Sequence, residues 1–325
     1  MEKQQMGSWL ARFASSIWLA NVTLPGAGSR ERLRRTPFQW LLREVRLFAK
    51  IAGRDIPTGA LPGFVFTVAA YRHSDLSIAT AIWPLLLSVG YFWLFLYVFC
   101  LLNQIHGEAE DRLNKPHRPL VSGEVDRPWM YRRLLVAAGA LAAMAYVGGV
   151  ALWACTWAAL NLLYARGGWQ RHWVTRNLFV ALGLITEVAA GWQLVSALDP
   201  TVWRIIIVIA LIMFIGITLQ DLRDVDGDVA VHRRTAPLAF GRRTVRIAMA
   251  VAFLTLIPLL VHLLCAITFP DMPLYAAMEA LFAVGSVILA ARLLWFSHSK
   301  YQAHRTYMYF TYWFASLMAT VILTF

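Results

Sequence analysis

Long apolar segments separated by short charged stretches dominate the chain. Several of them approach the roughly 20 residues that a helix needs to cross a bilayer. Nine segments can be marked, at residues 56–71, 81–102, 134–150, 151–165, 174–198, 201–219, 245–269, 274–296 and 307–325. The pattern predicts an all-α integral membrane bundle of nine transmembrane helices over residues 51–325, preceded by an interfacial segment over residues 1–50.

The boundary between the third and fourth segments leaves the number of helices open. Both segments are short and only Gly148 and Gly149 separate them, so a count of eight is an alternative. Charge favours nine, because with a cytoplasmic N-terminus only Arg72 and Arg204 of the 30 Lys and Arg residues fall toward the other side. We therefore expect the N-terminus and the motif loops to be cytoplasmic and the C-terminus to lie on the opposite side.

The composition narrows the class of protein. With 59% hydrophobic residues and a mean hydropathy of +0.57, the chain is too apolar for a soluble globule. The net charge of +12 is spread over many loops beside apolar segments, which favours a topology signal over nucleic-acid binding. Cys100, Cys155 and Cys265 lie within apolar segments without metal-ligand spacing, so we expect them to be packing residues. Nothing implies an obligate protein partner.

The first 50 residues contain two amphipathic stretches. Residues 9–24 are apolar but have few flanking cations and no clear cleavage site, which favours an interfacial helix over a signal peptide. Residues 30–50 are basic and amphipathic, and we expect them to lie along the cytoplasmic surface. Their apolar side chains should face lipid or the first span, and they are Trp40, Leu41, Val45 and Phe48.

Two acidic stretches carry the candidate chemistry. They read NQIHGEAEDRLNKPHRP at residues 103–119 and QDLRDVDGDVAVHRRTAPLAFG at residues 220–241, each at the end of a long apolar segment and followed by cations and proline. Asp221, Asp224 and Asp228 are spaced i, i+3, i+7, so they share one helix face, and grouped oxygen ligands suit Mg²⁺. The same seven-residue interval separates Gln104 from Asp111, so the two stretches resemble one motif that occurs twice.

The predicted topology brings both stretches to one membrane face. A lipid diphosphate keeps its charge at that face and its tail in hydrocarbon, so a cavity between the helices suits it as a substrate. The candidate catalytic metal ligands are Asn103, Asp111, Asp221, Asp224 and Asp228, with Glu108 or Glu110 in reserve. The candidate diphosphate-binding cations are Lys115, Arg118, Arg233 and Arg234. Asp226 is left open between a ligand and a loop residue, and either stretch alone would be read as a solvated loop.

These residues resemble the UbiA superfamily of intramembrane prenyltransferases. The similarity covers residues 45–325 in organisation and is specific at NKPHRP, DLRDVDGD and RRTAPLAFG. It implies a nine-helix α-bundle with aspartate-rich motifs after the second and sixth helices, which uses Mg²⁺ and a prenyl diphosphate. Asn161 and Tyr164 resemble a pair of the superfamily at the end of the fourth helix, which implies contact with the diphosphate or its metal shell.

The first motif departs from the usual family pattern. The pattern begins Asn-Asp and continues with aspartates, whereas the corresponding positions here are Asn103, Gln104, Gly107 and Asp111. The NQ opening and the later ED before NKP resemble the membrane-bound terpene cyclases of the superfamily. This resemblance implies a cyclase acting on farnesyl or geranylgeranyl diphosphate, with a prenyltransferase using an aromatic or lipid acceptor as the alternative. A transporter is disfavoured because the acidic stretches lie at segment ends.

Intramembrane polar and aromatic residues are candidates for the cavity wall. Glu187 and Glu279 are costly in hydrocarbon, so each should face a cavity or a helix partner. Aromatic faces can stabilise a carbocation, although Trp and Tyr also form packing surfaces and interfacial belts. The aromatic candidates are Trp153, Trp157, Trp192, Tyr307, Tyr309, Tyr312 and Trp313. From these sets we assign Glu187, Trp192 and Tyr312 to the cavity.

Overall fold

A computed structural model of the protein describes residues 36–74, 76–268 and 275–324. Within those ranges the chain is helical, and its only β-type pairing is an isolated bridge between His172 and Arg234. By its internal contacts the chain divides into two units, Met1–Leu47 and Phe48–Phe325. The predicted interfacial helix at residues 9–24 lies outside the described residues, as do residues 30–35 of the basic stretch.

Fifteen α-helices are described. They are α1 (Pro37–Ala52), α2 (Ile56–Gly59), α3 (Leu61–His73), α4 (Ile78–His106), α5 (Glu108–Asn114), α6 (Arg127–Val147), α7 (Ala151–Ala165), α8 (Trp173–Gln193), α9 (Pro200–Gly216), α10 (Thr218–Ala230), α11 (Ala236–Phe240), α12 (Arg242–Leu254), α13 (Leu256–Thr268), α14 (Tyr275–Ala291) and α15 (Lys300–Thr324). Short 3₁₀ turns cover Gly53–Asp55 and Trp169–Arg171, and a π-helical turn covers Arg292–Phe296.

A reciprocal capping box begins α1. The Thr36 hydroxyl accepts from the Gln39 N–H at 3.3 Å, and the Gln39 carboxamide oxygen accepts from the Thr36 N–H at 3.1 Å. Leu41 and Val45 are exposed on this helix, as expected for side chains predicted to meet lipid. The Trp40 side chain lies outside the described part of the chain.

In the part of the chain that the structure describes, six helical stretches are long and apolar enough to cross a membrane, so the chain is an integral membrane protein. They are Ile78–His106, Arg127–Val147, Trp173–Gln193, Pro200–Ala230, Arg242–Ile267 and Tyr275–Phe296. The other three predicted segments coincide with α3, α7 and α15, which are helical but are not among the six. The count of nine spans and their sidedness stay predictions.

The third and fourth predicted segments form two helices. Helix α6 ends at Val147 and α7 begins at Ala151. Between them Gly149 adopts a φ of +68°, in the left-handed region that favours glycine. At Gly148 a Cβ atom would lie 2.7 Å from the Leu194 Cδ2 atom, so any larger residue would make the Leu194 side chain shift. The glycine pair therefore separates the two apolar segments, as predicted.

Helix α8 is largely buried in the region that holds the site. It packs against α3, α7 and α9. The approach to α3 is close because both helices present glycine, and a Cβ atom at Gly191 would lie 2.2 Å from the Gly63 carbonyl oxygen. On α8, the side chains of Arg176, Phe179 and Glu187 are all buried, so polar as well as apolar groups point toward the neighbouring helices.

Candidate functional site

Helix α10 carries the second acidic stretch and buries one of its faces. Asp221, Asp224 and Asp228 are all buried, whereas 63% of the Asp226 side chain is exposed. The i, i+3, i+7 spacing places the three buried carboxylates on one side of the helix. Asp226 pairs with Arg242 at 3.2 Å on the surface, so this carboxylate lies outside the buried cluster.

The seven-residue helix α5 follows α4 and carries the acidic residues of the first stretch. Glu110 and Asp111 are buried, and Asp111 accepts from Arg118 at 2.5 Å. Glu108 instead pairs with the exposed side chains of Arg112 and Arg127, at 2.6 and 2.9 Å. Of the two glutamates held in reserve, Glu110 therefore lies in the buried cluster and Glu108 lies outside it.

Arg233 joins the two acidic stretches. Its Nη1 atom lies 2.6 Å from Glu110 on α5 and 3.1 Å from Asp228 on α10. The stretches also meet at Asn114, whose Nδ2 atom donates to the Asp224 carbonyl oxygen at 3.2 Å. Two motifs separated by more than 100 residues in sequence thus form one buried ionic cluster.

The cluster contains two arginines that sequence reasoning missed. Arg176 at the start of α8 pairs with Asp221, and Arg223 donates two hydrogen bonds of 2.6 Å to Asp224. A signal for each was present in the sequence. Arg176 lies two residues into an apolar segment, where a charge needs a partner, and Arg223 stands inside the DLRD run itself.

A cavity of about 170 Å³ lies beside this cluster. Its polar end is lined by cationic side chains, which are Lys50, Arg54, Lys115, Arg118, Arg176 and Arg223. The aspartates on α5 and α10 lie behind these cations rather than on the cavity surface. Arg223 lies 4.9 Å from the ring centre of Tyr307, and its buried Nη1 atom has no hydrogen-bond partner among the described residues. This end of the cavity therefore offers positive charge and a free donor to an anionic group.

The other end of the cavity is aromatic. Phe95 and Trp157 stack at 4.3 Å between ring centres, and Trp157 stacks on Phe179 at 5.5 Å. Phe99 completes this wall and lies 5.5 Å from Phe179. On α4, Asn103 lies toward the cluster and Phe95 beyond it. On α8, Arg176 lies toward the cluster and Phe179 beyond it. An amphipathic molecule with an anionic head thus matches the cavity from end to end.

Most of the predicted site residues lie at or near this cavity. Asn103 and Tyr164 line it, as does Glu187. Asn161 is buried beside Tyr164 on α7, donates to the Trp157 carbonyl oxygen at 2.8 Å, and has no partner for its Oδ1 atom among the described residues. Arg234 is the exception among the predicted cations. Its side chain is exposed and its backbone N–H donates to the Arg171 carbonyl oxygen at 2.6 Å, so it shapes the loop.

Two aromatic residues assigned to the cavity lie elsewhere. Trp192 is fully buried in helix packing against Phe66, and its indole N–H donates to the Ala197 carbonyl oxygen at 3.0 Å. Tyr312 is 61% exposed, whereas Tyr307 lines the cavity. The two residues are five apart on α15, so their side chains point to different sides of the helix. Both assignments are corrected, since neither residue lines the cavity wall.

Charge pairing outside the membrane-spanning segments shifts several pKa values. Burial favours the neutral form of Glu110, but Lys115 and Arg233 outweigh it and hold the pKa of Glu110 below its usual value. Burial raises the pKa of Asp111, against the pull of Arg118 and Lys115. Burial and then the neighbouring Arg118 lower the pKa of Lys115. The cluster is therefore a strongly coupled set of buried charges.

The donor set fits a hard cation, although the carboxylates are partnered by Arg and Lys. No three His, Cys, Asp or Glu side chains in residues 36–74, 76–268 and 275–324 converge in an arrangement that would hold a metal. Asp228 Oδ2 and Asn161 Oδ1 are nevertheless buried oxygens without a hydrogen-bond partner in the same ranges. Mg²⁺ prefers carboxylate and amide oxygens as ligands. With Mg²⁺ on the carboxylates, the Arg and Lys side chains that now pair with them would be available to phosphate oxygens.

Comparison with known proteins identifies the class. Residues 59–315 match the UbiA prenyltransferase family, which is most of the chain. The protein belongs to this family and is an enzyme of the UbiA type.

Relatives include both cyclases and a transferase. The chain is 38% identical over 229 residues to the somaliensene A/B synthase of Streptomyces somaliensis, covering 70% of this chain and 76% of that protein. Two proteins of Hericium erinaceus are also similar. The diterpene cyclase eriG is 32% identical over 87% of this chain and 89% of its own length, and the polyprenyl transferase eriF is 30% identical over 86% and 95%.

The fold matches a solved member of the family. A UbiA homolog from Archaeoglobus fulgidus, whose structure was solved bound to GPP and Mg²⁺, aligns with a TM-score of 0.59 at 13% identity. The alignment covers 85% of this chain and 99% of that one. At this identity the likeness establishes the UbiA fold and nothing finer.

Proposed function

We propose that the protein is a Mg²⁺-dependent intramembrane terpene cyclase. It ionises an isoprenyl diphosphate, farnesyl or geranylgeranyl diphosphate, cyclises the resulting carbocation and releases diphosphate. The observation that carries the proposal is the cavity with a cationic end and an aromatic end. The similarity of the chain to somaliensene A/B synthase and to the diterpene cyclase eriG supports cyclisation over transfer.

The polar end suits the departure of the diphosphate. Lys115, Arg118 and Arg223 line it, and fixed cations stabilise the negative charge that grows on the leaving group as the allylic C–O bond breaks. The proposed Mg²⁺ ligands are Asn103, Asp111, Asp221, Asp224 and Asp228. When bound, Mg²⁺ neutralises charge on the diphosphate that these cations leave uncompensated.

The aromatic end suits the cation that remains. Phe95, Trp157 and Phe179 present stacked rings, and an aromatic ring face attracts a positive charge in a site without water. A wall of rings also fixes the folding of a flexible chain and shields the cation from hydration, which is what separates cyclisation from simple hydrolysis.

A prenyltransferase is the second candidate. It is favoured by the family itself and by the similarity to the polyprenyl transferase eriF over most of both chains. The residue pattern of the first motif favours the cyclase, because Gln104 stands where the transferase pattern has aspartate. The Gln104 amide donates to the Ile51 carbonyl oxygen at 2.9 Å, so this side chain serves packing.

The decisive experiment is incubation of the detergent-purified protein with Mg²⁺ and either farnesyl or geranylgeranyl diphosphate, without an acceptor. The organic extract is analysed by mass spectrometry and released diphosphate is measured in the same sample. We expect a cyclic hydrocarbon or terpene alcohol, equimolar with diphosphate and absent from an Asp221→Ala control. Product that forms only after phenols or quinone precursors are added would instead support the transferase.

A further inference from the structure

We infer that Glu187 is the base that ends the reaction by removing a proton from the cyclised carbocation. The inference rests on the proposed cyclase function and assigns a residue to its last step. Glu187 is buried at 2% exposure and lines the cavity. The only other carboxylate on the described cavity wall is Asp55, which belongs to the polar end beside Arg54.

Position along α8 places Glu187 away from the diphosphate end. Arg176, Phe179, Gly183 and Glu187 all line the cavity, and their spacing of three, four and four residues puts them on one helix face. Eleven residues separate Arg176 from Glu187, which is a rise of about 16 Å along the helix. Glu187 therefore lies where the far part of a prenyl chain lies when its diphosphate is at the cationic end.

The Glu187 side chain has one oxygen held by a hydrogen bond and one oxygen available. Its Oε1 atom accepts from the Gly63 N–H at 3.0 Å. That N–H belongs to the first turn of α3, where helix donors lack an intrahelical acceptor and the helix dipole favours negative charge. The Oε2 atom has no hydrogen-bond partner among the described residues, and no Lys or Arg forms an ion pair with Glu187 there.

Glycine positions make this arrangement possible. A Cβ atom at Gly63 would overlap the Phe92 ring at 2.3 Å, and one at Gly183 would lie 2.7 Å from Trp157. The first glycine lets the Phe92 ring lie against α3 at the residue whose N–H meets Glu187, and the second lets the Trp157 ring lie over α8 one turn before Glu187. The aromatic wall and the carboxylate consequently border the same space.

The proposed step balances without another reactant. The Oε2 atom takes a proton from a carbon next to the cationic carbon, and the two electrons of that C–H bond become the second bond of an alkene. The cation is neutralised and Glu187 becomes a carboxylic acid. The acid returns its proton to water when the hydrocarbon leaves the cavity.

The test compares products from the wild type and from Glu187→Gln and Glu187→Asp, with diphosphate release measured in each sample. Glutamine keeps the size and the acceptor for Gly63 but takes no proton, whereas aspartate keeps a carboxylate on a shorter chain. We expect Glu187→Gln to release diphosphate within about fivefold of the wild-type rate while the main hydrocarbon falls at least about tenfold, replaced by other alkenes or by alcohols. Glu187→Asp should restore part of the main product.

Glu279→Gln is the matched control, because Glu279 is a second glutamate in an apolar helix but pairs with His262 away from the cavity. It should keep the wild-type product ratio. Glu187→Gln with the wild-type products at the wild-type rate would overturn the inference, since another base would then end the reaction. A wild-type protein that releases no diphosphate without an acceptor contradicts the proposed function itself, and the inference falls with it.

Discussion

At the scale of single residues, Asp224 shows how closely the buried charges are matched. Its two oxygens accept two hydrogen bonds from Arg223, whose remaining nitrogen is buried without a hydrogen-bond partner among the described residues. Removing the carboxylate charge leaves a buried guanidinium without its counter-ion and removes a proposed metal ligand. We expect Asp224→Asn to lower diphosphate release by about 100-fold or more, measured on purified protein with saturating Mg²⁺.

Asp226→Asn is the matched control for that substitution. Asp226 lies two residues along the same helix and is exposed, so its loss should change the rate less than about twofold. Both variants should elute from size-exclusion chromatography in detergent at the wild-type volume, which separates lost chemistry from lost folding. An Asp224→Asn protein with the wild-type rate would remove this carboxylate from the proposed site.

Lys115 gives the cluster a dependence on pH. Burial and the nearby Arg118 lower its pKa from the ordinary 10.5, so the ammonium loses its proton at a pH below that value. Only the charged form attracts a diphosphate. As pH rises through the lowered pKa, we expect KM for the isoprenyl diphosphate to rise by about tenfold. A guanidinium stays charged, so Lys115→Arg should keep KM flat over the same range, and a wild-type KM that is equally flat would contradict the assignment.

The individual residues also mark the limit of what the sequence could predict. Helical spacing placed Asp221, Asp224 and Asp228 on one face of α10, because spacing along one helix is a local property, but it left the role of Asp226 open. The pairing of Arg176 with Asp221 joins residues 45 positions apart and is set by how α8 packs against the neighbouring helices. The assignment of Trp192 and Tyr312 to the cavity was wrong for the same reason, since composition does not say which side of a helix meets the cavity.

At the scale of helices, apolar segments and their glycine interruption predicted most of the architecture. The structure adds that the sixth segment continues through Ile217 into α10, so one helical stretch delivers the aspartates directly from the membrane. It also adds the contact between α3 and α8. Glycine is common in apolar helices, and its position in the sequence does not show which helix it will contact. The approach of Gly191 to Gly63 was therefore not predictable.

This contact gives a prediction for helix packing. A Cβ atom at Gly191 would lie 2.2 Å from the Gly63 carbonyl oxygen, so Gly191→Ala must separate α3 from α8. We expect a loss of stability of about 1–3 kcal/mol, measured as a lower melting temperature in detergent. Because the separation also moves the Gly63 N–H away from Glu187, the product ratio should change.

Gly139→Ala on α6 is the corresponding control. A Cβ atom there meets nothing within 4 Å, and alanine is the better helix former, so stability should be unchanged or higher by about 0.5–1 kcal/mol. A Gly191→Ala protein as stable as this control would show that the two helices adjust without cost and that the close contact has no structural role.

At the scale of the whole molecule, the cavity runs from a cationic end to an aromatic end that lies among the apolar helices. The cationic end is where the two acidic stretches meet, and the aromatic end is formed by the middle of apolar helices. A substrate with a charged head and a long tail can therefore bind without moving its charge deep into the membrane. This arrangement requires both stretches to open on one membrane face, which the distribution of Lys and Arg predicts to be the cytoplasmic one.

Three alanine positions test that topology. Ala109 on α5 and Ala230 at the end of α10 lie within the two acidic stretches and are exposed, and Ala197 is exposed in the connection between α8 and α9. In a background with Cys155→Ala, which removes the exposed native thiol, each alanine is changed singly to cysteine and whole cells are treated with a membrane-impermeant maleimide. We expect Ala197→Cys to react in intact cells, and Ala109→Cys and Ala230→Cys to react only after permeabilisation.

The control is the Cys155→Ala protein without an added cysteine. Its two remaining cysteines, Cys100 and Cys265, are buried and should stay unlabelled throughout. Labelling of Ala109→Cys and Ala230→Cys on different sides would contradict a single cavity mouth, and it would also contradict the contact of Arg233 with both stretches. Labelling of both from outside the cell would keep the shared mouth but reverse the orientation. In that case the substrate would have to reach the enzyme from the outer face, against the charge asymmetry of the chain.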